Sequence, residues 1–245
     1  MRSQTAKLRY RLRDVADFDF LQGTHATHAL DPAIAKRFGE DGSYFSWYDV
    51  EIEDRNEREY YECLLDASVV FRYPGVDHAL ARLEAHLDAA AADERPYDAL
   101  LGFSQGAVLL TLLTALRLQP GAPPPSWRGN ICVAGMPVRD DRFAPLFPPT
   151  APPLALPCVI AQGTADPFYG WCRRLAHSYA APLEVSYDEG HRFPHGKEAN
   201  AELEAAIRRL LQQPAPERSA ALATAPASAF TYCCLLYTSP SPRDS

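Results

Sequence analysis

Several features are scarce or absent in these 245 residues. No apolar run approaches the ~18 residues that a bilayer span needs. The opening stretch, MRSQTAKLRYRLRD, lacks the apolar core of a secretory leader. H-E-x-x-H, G-x-x-x-x-G-K-[ST] and G-x-G-x-x-G are all missing, which withdraws support from metalloprotease, P-loop and dinucleotide-binding readings. Positive charge is in deficit too: 24 Lys and Arg face 31 Asp and Glu, for a net charge of −7. Such a chain repels polyanions, so nucleic acid and acidic membrane are poor partners. The six cysteines (Cys63, Cys132, Cys158, Cys172, Cys233 and Cys234) show neither C-x-x-C spacing nor a disulfide framework. Cys132 and Cys158 lie in apolar runs where a thiol packs as a small hydrophobe, and a reducing, cytoplasmic setting follows.

Metal-ligand patterns are equally thin. His25 and His28 have no acid or cysteine set beside them. His191 and His195 are four apart, but Pro194 breaks any helix that would align them. The expectation is no metal and no cofactor. His78 and His86 fall on the polar faces of a helical segment and read as solvated.

What is present is the composition of a soluble globular protein, 47% hydrophobic and 22% charged, long enough for one domain with a substantial core. Thr5–Asp14 reads as a short basic helix with Leu8 and Leu12 one turn apart. Phe18–Gln22 is a strand candidate, and residues 39–58 read as a long irregular insertion of the kind that walls a substrate site. From Pro74 onward Val76, Leu80, Leu83 and Leu87 share one helix face. Tyr97–Phe103 then reads as a buried strand and Ala107–Leu118 as a helix closed by Pro120-Gly121. Ile131–Ala134 and Val159–Ala161 are apolar runs suited to parallel strands covered on both faces. A helix over 168–179, a strand over 183–187 and a final helix over 197–211 complete an alternating pattern, which predicts an α/β fold with a mostly parallel sheet. Residues 214–229 are rich in Ala, Pro and Ser, and the closing CCLLYTSPSPRDS has no periodicity and resembles translated adapter read-through. Residues 214–245 are therefore expected to be a disordered, non-native tail beside a domain spanning 1–213.

Gly102-Phe103-Ser104-Gln105-Gly106 carries the chemistry. G-x-S-x-G alone is weak, with roughly 0.08 chance matches in a chain of ordinary composition. Here it follows a buried strand and opens a helix, the setting of a nucleophile elbow. The bend places the Gln105 N–H at a helix N-terminus, facing a developing oxyanion. The plain alternative is a Gly/Ser turn with Ser104 as helix N-cap. A serine hydroxyl needs a base to take its proton and an acid to orient that base. For an elbow the chain order is Ser, acid, His. Asp166 follows the strand CVIAQ and His191 follows the strand LEVSY, so Ser104, Asp166 and His191 fall on three successive strand ends in that order. Asp166 taken alone also fits a turn initiator in Gly-Thr-Ala-Asp-Pro. Asp188 and Glu189 lie too close to His191 to be the usual orienter.

These residues resemble the FSH1-type serine hydrolases, a branch of the α/β-hydrolase superfamily. The resemblance covers roughly residues 1–211. It rests on FLQGTHA at 20–26, YFSWYD at 44–49, YPGVDHAL at 73–80 and YDALLGFSQGA at 97–107, followed by VAGMPV at 133–138, IAQGTADPFY at 160–169 and DEGHRFP at 188–194. GFSQGA is also shared with the acyl-protein thioesterase and carboxylesterase family. The resemblance implies a three-layer αβα hydrolase with Ser104 as nucleophile, Asp166 as acid and His191 as base. The implied substrate is a small-molecule carboxylic ester or thioester. Trp47, Phe103 and Met136 are the candidate pocket residues, with loop packing as the plain alternative for Trp47. Gln22 and Thr24 stand where the family usually has an aspartate and a proline. The family also opens with a strand and a His-Gly loop that supplies a second oxyanion donor, and the segment RSQTAKLRYRL follows it. Met1 falls at that segment, so the first strand is expected to be missing. The alternative function is then a hydrolase-fold binding protein with an incomplete oxyanion site.

Overall fold

A computed structural model describes residues 4–27, 44–53, 58–213 and 231–237. His28 and residues 39–43 and 54–57 of the 39–58 insertion lie outside the described residues. Helix α1 (Ala6–Leu12) leads into strand β1 (Ala16–Gln22). Two short antiparallel ribbons follow, β2 (His25–Thr27) with β3 (Tyr44–Ser46) and β4 (Glu51–Ile52) with β5 (Phe71–Arg72), and helix α2 (Tyr60–Leu65) lies between β4 and β5. Helix α3 (Val76–Ala92), strand β6 (Ala99–Phe103) and helix α4 (Gln105–Arg117) precede strand β7 (Gly129–Val133). A 3-10 helix (Asp141–Leu146), strand β8 (Cys158–Gly163), helix α5 (Tyr169–Ala176), strand β9 (Leu183–Tyr187) and helix α6 (Lys197–Leu211) follow, and Thr231–Tyr237 forms strand β10.

The main sheet has six strands in the order β1-β10-β6-β7-β8-β9, all paired in parallel. Its two faces bury alternate residues, as the two-residue period of a strand requires. Leu101, Phe103, Ile131, Val133, Val159 and Ala161 pack against Leu8 and Leu12 of α1 and Leu203, Ile207 and Leu210 of α6. Leu100 on the opposite face meets Leu83 and Leu87 of α3 and Leu109, Leu112 and Leu113 of α4. Cys132 and Ile160 pack on Leu175 of α5 from that same side. Three layers result, and parallel strands wholly covered by helices explain why these runs are apolar without alternation.

The helices and strands expected from Thr5 to Leu211 are present with small shifts at their ends. The tail differs from its expectation. Residues 214–230 and 238–245 lie outside the described residues, but Thr231–Tyr237 does not stand apart: it pairs as a strand between β1 and β6. The physical reason is backbone pairing. β1 and β6 would each turn a row of N–H and C=O groups toward an open slot, and TYCCLLY is rich in strand-forming residues. His86 also departs from a solvated reading. Its Nε2 lies 2.7 Å from the Tyr97 hydroxyl and 3.3 Å from Asp19 Oδ2.

Candidate active site

Ser104 joins β6 to α4 with φ +52° and ψ −116°, a backbone conformation that a side-chain-bearing residue adopts only under constraint. Strain of this kind costs about 1–3 kcal/mol and persists where the surroundings over-determine it. Two features do so. The Ser104 N–H donates to the Val133 carbonyl at 2.9 Å, tying the bend to the end of β7. Gly102 has no room for a side chain, since a Cβ there would sit 2.5 Å from the carbonyl of Gly106 in the first turn of α4. The glycine spacing thus lets the helix start directly on top of the strand it follows. Gln105 opens α4, where a helix N–H has no intrahelical acceptor and points outward.

The strand ends to one side bring up the partners. Asp166 follows β8, and its carboxylate is fully enclosed. Oδ1 accepts from the Phe168 N–H at 2.8 Å, and Oδ2 lies 2.8 Å from His191 Nδ1. His191 follows β9, and its Nε2 lies 3.0 Å from Ser104 Oγ. With the imidazole proton on Nδ1, toward the carboxylate, Nε2 is free to accept from a serine hydroxyl. The acid and histidine loops are laced together, with the Ala165 N–H donating to the Glu189 carbonyl at 3.1 Å and the Thr164 N–H to the Tyr187 carbonyl at 2.8 Å. The Glu189 carboxylate pairs with His195 and Gly196. Its Oε1 accepts from the backbone N–H groups of His195 and Gly196 at 2.6 and 3.1 Å, at the start of α6.

The family profile described as "Serine hydrolase (FSH1)" matches residues 1–203. The chain belongs to the FSH1 serine hydrolase family. As a hydrolase of this family it acts on a small-molecule substrate, and its parallel sheet covered by helices is an α/β fold. Among solved structures, Arabidopsis thaliana SOBER1 is similar at 17% identity and TM-score 0.47, covering 80% of this chain and 99% of its own. A phospholipase/carboxylesterase from Dyadobacter fermentans is similar at 17% identity and TM-score 0.46, covering 82% and 92%. YahD, solved with malic acid, is similar at 14% identity and TM-score 0.44, covering 81% and 95%. No curated protein matches the chain.

The candidate pocket residues of this serine hydrolase separate. Phe103 is nearly buried beneath the histidine, its ring 5.2 Å from that of His191 and stacked on Phe193 at 5.3 Å. Trp47 is fully buried in the core against α3 and α4, so its ring presents no surface to a substrate. The Trp47 ring is a core packing group. Met136 is half-buried just past β7, packed against the same cluster as Trp47.

Sequence reasoning missed the aromatic wall opposite. Phe168 turns its edge to the His191 ring at 5.5 Å, and Tyr61 of α2 stacks on Phe168 at 6.2 Å. The α2 segment is held from behind by Arg139. Its guanidinium lies 4.1 Å from the ring centres of both Phe71 and Trp171 and donates to the carbonyls of Leu64, Asp66 and Val69. Phe168 is adjacent to the Asp-Pro turn, the one sequence cue available for it. Arg139 and Tyr61 carry no local pattern. Burial, followed by the nearby Asp166 carboxylate, pushes the Cys172 thiol up to about 12, so it stays a neutral packing group beside the acid. Among the described residues no group of three His, Cys, Asp or Glu side chains gathers as a metal site, and His25 lies against Gly75. No helix among them is long and apolar enough to cross a membrane.

Proposed function

We propose that the chain hydrolyses carboxylic esters or thioesters through an acyl-serine, with Ser104, His191 and Asp166 as its catalytic triad. The observation that carries this reading is the unbroken relay from Ser104 Oγ to His191 Nε2 at 3.0 Å and from His191 Nδ1 to Asp166 Oδ2 at 2.8 Å.

Ser104 Oγ attacks the acyl carbon while His191 Nε2 takes the hydroxyl proton. The carbonyl oxygen becomes an oxyanion, and the Gln105 N–H at the start of α4 donates to it. Collapse of that intermediate breaks the bond to the alcohol or thiol, which leaves with the proton from Nε2. Water then attacks the acyl-serine, His191 again accepts a proton, and the carboxylic acid departs as the proton returns to Oγ. Asp166, enclosed and bonded on both oxygens, holds the imidazole in one tautomer and stabilises the imidazolium formed in each half-reaction. Phe103 and Phe168 restrict the ring from two sides. The buried free thiols of Cys63, Cys132, Cys158 and Cys172 support a reducing, cytoplasmic setting for this activity.

A fluorophosphonate probe tests the reading on the full chain. The expected result is covalent labelling that vanishes in Ser104→Ala, with turnover of p-nitrophenyl esters or acyl thioesters lost in the same variant. Folded protein that takes no label and turns over neither substrate class would leave a hydrolase-fold binding protein instead. A panel pairing each ester with its amide separates esterase from peptidase.

A further inference from the structure

The Gln105 side chain has a job that its backbone N–H does not describe. Its Oε1 accepts from the Trp47 N–H at 2.9 Å, and its Nε2 donates to the Tyr48 carbonyl at 2.7 Å. One carboxamide therefore pairs with an N–H and a C=O of two consecutive residues in the bend after β3. The segment it grips is rigid. Trp47 and Tyr48 are both buried, the Tyr48 ring lies 4.7 Å from that of Tyr73, and the Asp49 N–H donates to the Pro74 carbonyl at 2.9 Å. Gln105 is thus anchored to a fixed platform 57 and 58 residues away in sequence.

Its position makes that anchoring consequential. Ser104, one residue earlier, is held at φ +52°, and unwinding the first turn of α4 is the direct way to relax it. Helix ends fray, and the first N–H groups lack partners that would resist it. The side chain anchored to Trp47 and Tyr48 belongs to the same residue whose N–H faces the oxyanion, so only its own side-chain torsions separate the anchor from the donor. We propose that the Gln105 carboxamide is a positioning group that keeps the elbow wound and aims the Gln105 N–H at the oxyanion; the proposal rests on the acyl-serine reading above. The segment YFSWYD then serves the site through its backbone, although the Trp47 ring points into the core.

The test uses Gln105→Met, which keeps the volume and loses both hydrogen bonds, and Gln105→Glu, which keeps the acceptor for Trp47 and sets a carboxylate against the Tyr48 carbonyl. Rates are measured per active site, titrated by the acyl burst. Both variants are expected to lose about 10- to 100-fold in kcat with KM within about twofold, short of the ~10²–10³ for removing a whole oxyanion donor. Fluorophosphonate trapping slows in parallel, and the Trp47 amide exchanges hydrogen faster in Gln105→Met than in the wild type. A kcat within twofold of wild type, an unchanged Trp47 exchange rate, or failure of both variants to fold would each overturn the proposal; the last would make the side chain a folding requirement, not an aiming device. A wild type that takes no probe fails the acyl-serine reading separately, and the exchange measurement still judges the anchor.

Discussion

Gly163 at the end of β8 and Glu189 in the histidine loop pass so close that a Cβ on the glycine would sit 2.1 Å from the Glu189 carbonyl oxygen. This contact sets the spacing between the loop carrying Asp166 and the loop carrying His191. Backbone on both sides leaves nothing that can swing away. Gly163→Ala is expected to push the loops apart and to destabilise the protein by about 1–3 kcal/mol, the range for overpacked sites. A displacement near 1 Å costs on the order of 10²-fold in rate. Urea unfolding and fluorophosphonate labelling rates check the two effects, and wild-type values in both would show that the contact is slack.

Ser104 lies at φ +52°, where any Cβ is strained. Ser104→Gly and Ser104→Ala both remove the nucleophile, but only glycine also relieves the backbone. The glycine variant is expected to be the more stable of the two by ~1 kcal/mol, on the scale of a left-handed conformation. Thermal unfolding of the pair is the measurement, and equal midpoints would mean that the bend is unstrained.

Glu189 supplies a pH dependence. Burial opposes its ionisation, but hydrogen bonds from the His195 and Gly196 N–H groups and from the His195 ring outweigh it and hold its carboxyl below the ordinary value. A group whose pKa is depressed on folding contributes stability above the unfolded value, near 4.5, and loses it as pH falls through the folded value. Glu189→Gln should therefore lower the unfolding midpoint at neutral pH and flatten its decline in acid below about 4.5. Parallel slopes for wild type and variant from pH 6 to pH 3 would refute this.

Arg139 is held between two rings and three carbonyls, a geometry that a planar guanidinium satisfies and an ammonium does not. Arg139→Lys is expected to cost about 1–3 kcal/mol, the scale of charged hydrogen bonds, and to loosen α2. Limited proteolysis between residues 58 and 70 should accelerate, and KM should rise as Tyr61 leaves Phe168. Unchanged cleavage would show that α2 holds without the clamp.

β10 pairs with β1 over seven residues and with β6 over four. Ending the chain after Gln213 leaves both facing edges without that partner, and exposed edges invite association. The shortened chain is expected to aggregate and to unfold at lower urea than the full one. A monomeric protein of equal stability would show that the slot tolerates being empty.

The strand, sharp bend and helix around Ser104 follow from the order of nearby residues. Apolar runs, turn-forming glycines and helix periodicity act over a few positions, so sequence alone located the bend at Ser104 and placed Asp166 and His191 after later strands. Their mutual approach, the burial of the Trp47 ring, the grip of Gln105 on Trp47 and Tyr48, and the insertion of Thr231–Tyr237 beside β6 come from packing between segments distant in the chain. An aromatic side chain fits a core or a pocket wall equally well by composition, and a backbone edge accepts any strand that reaches it. Only the assembled sheet and its covering helices decide which neighbour each one meets.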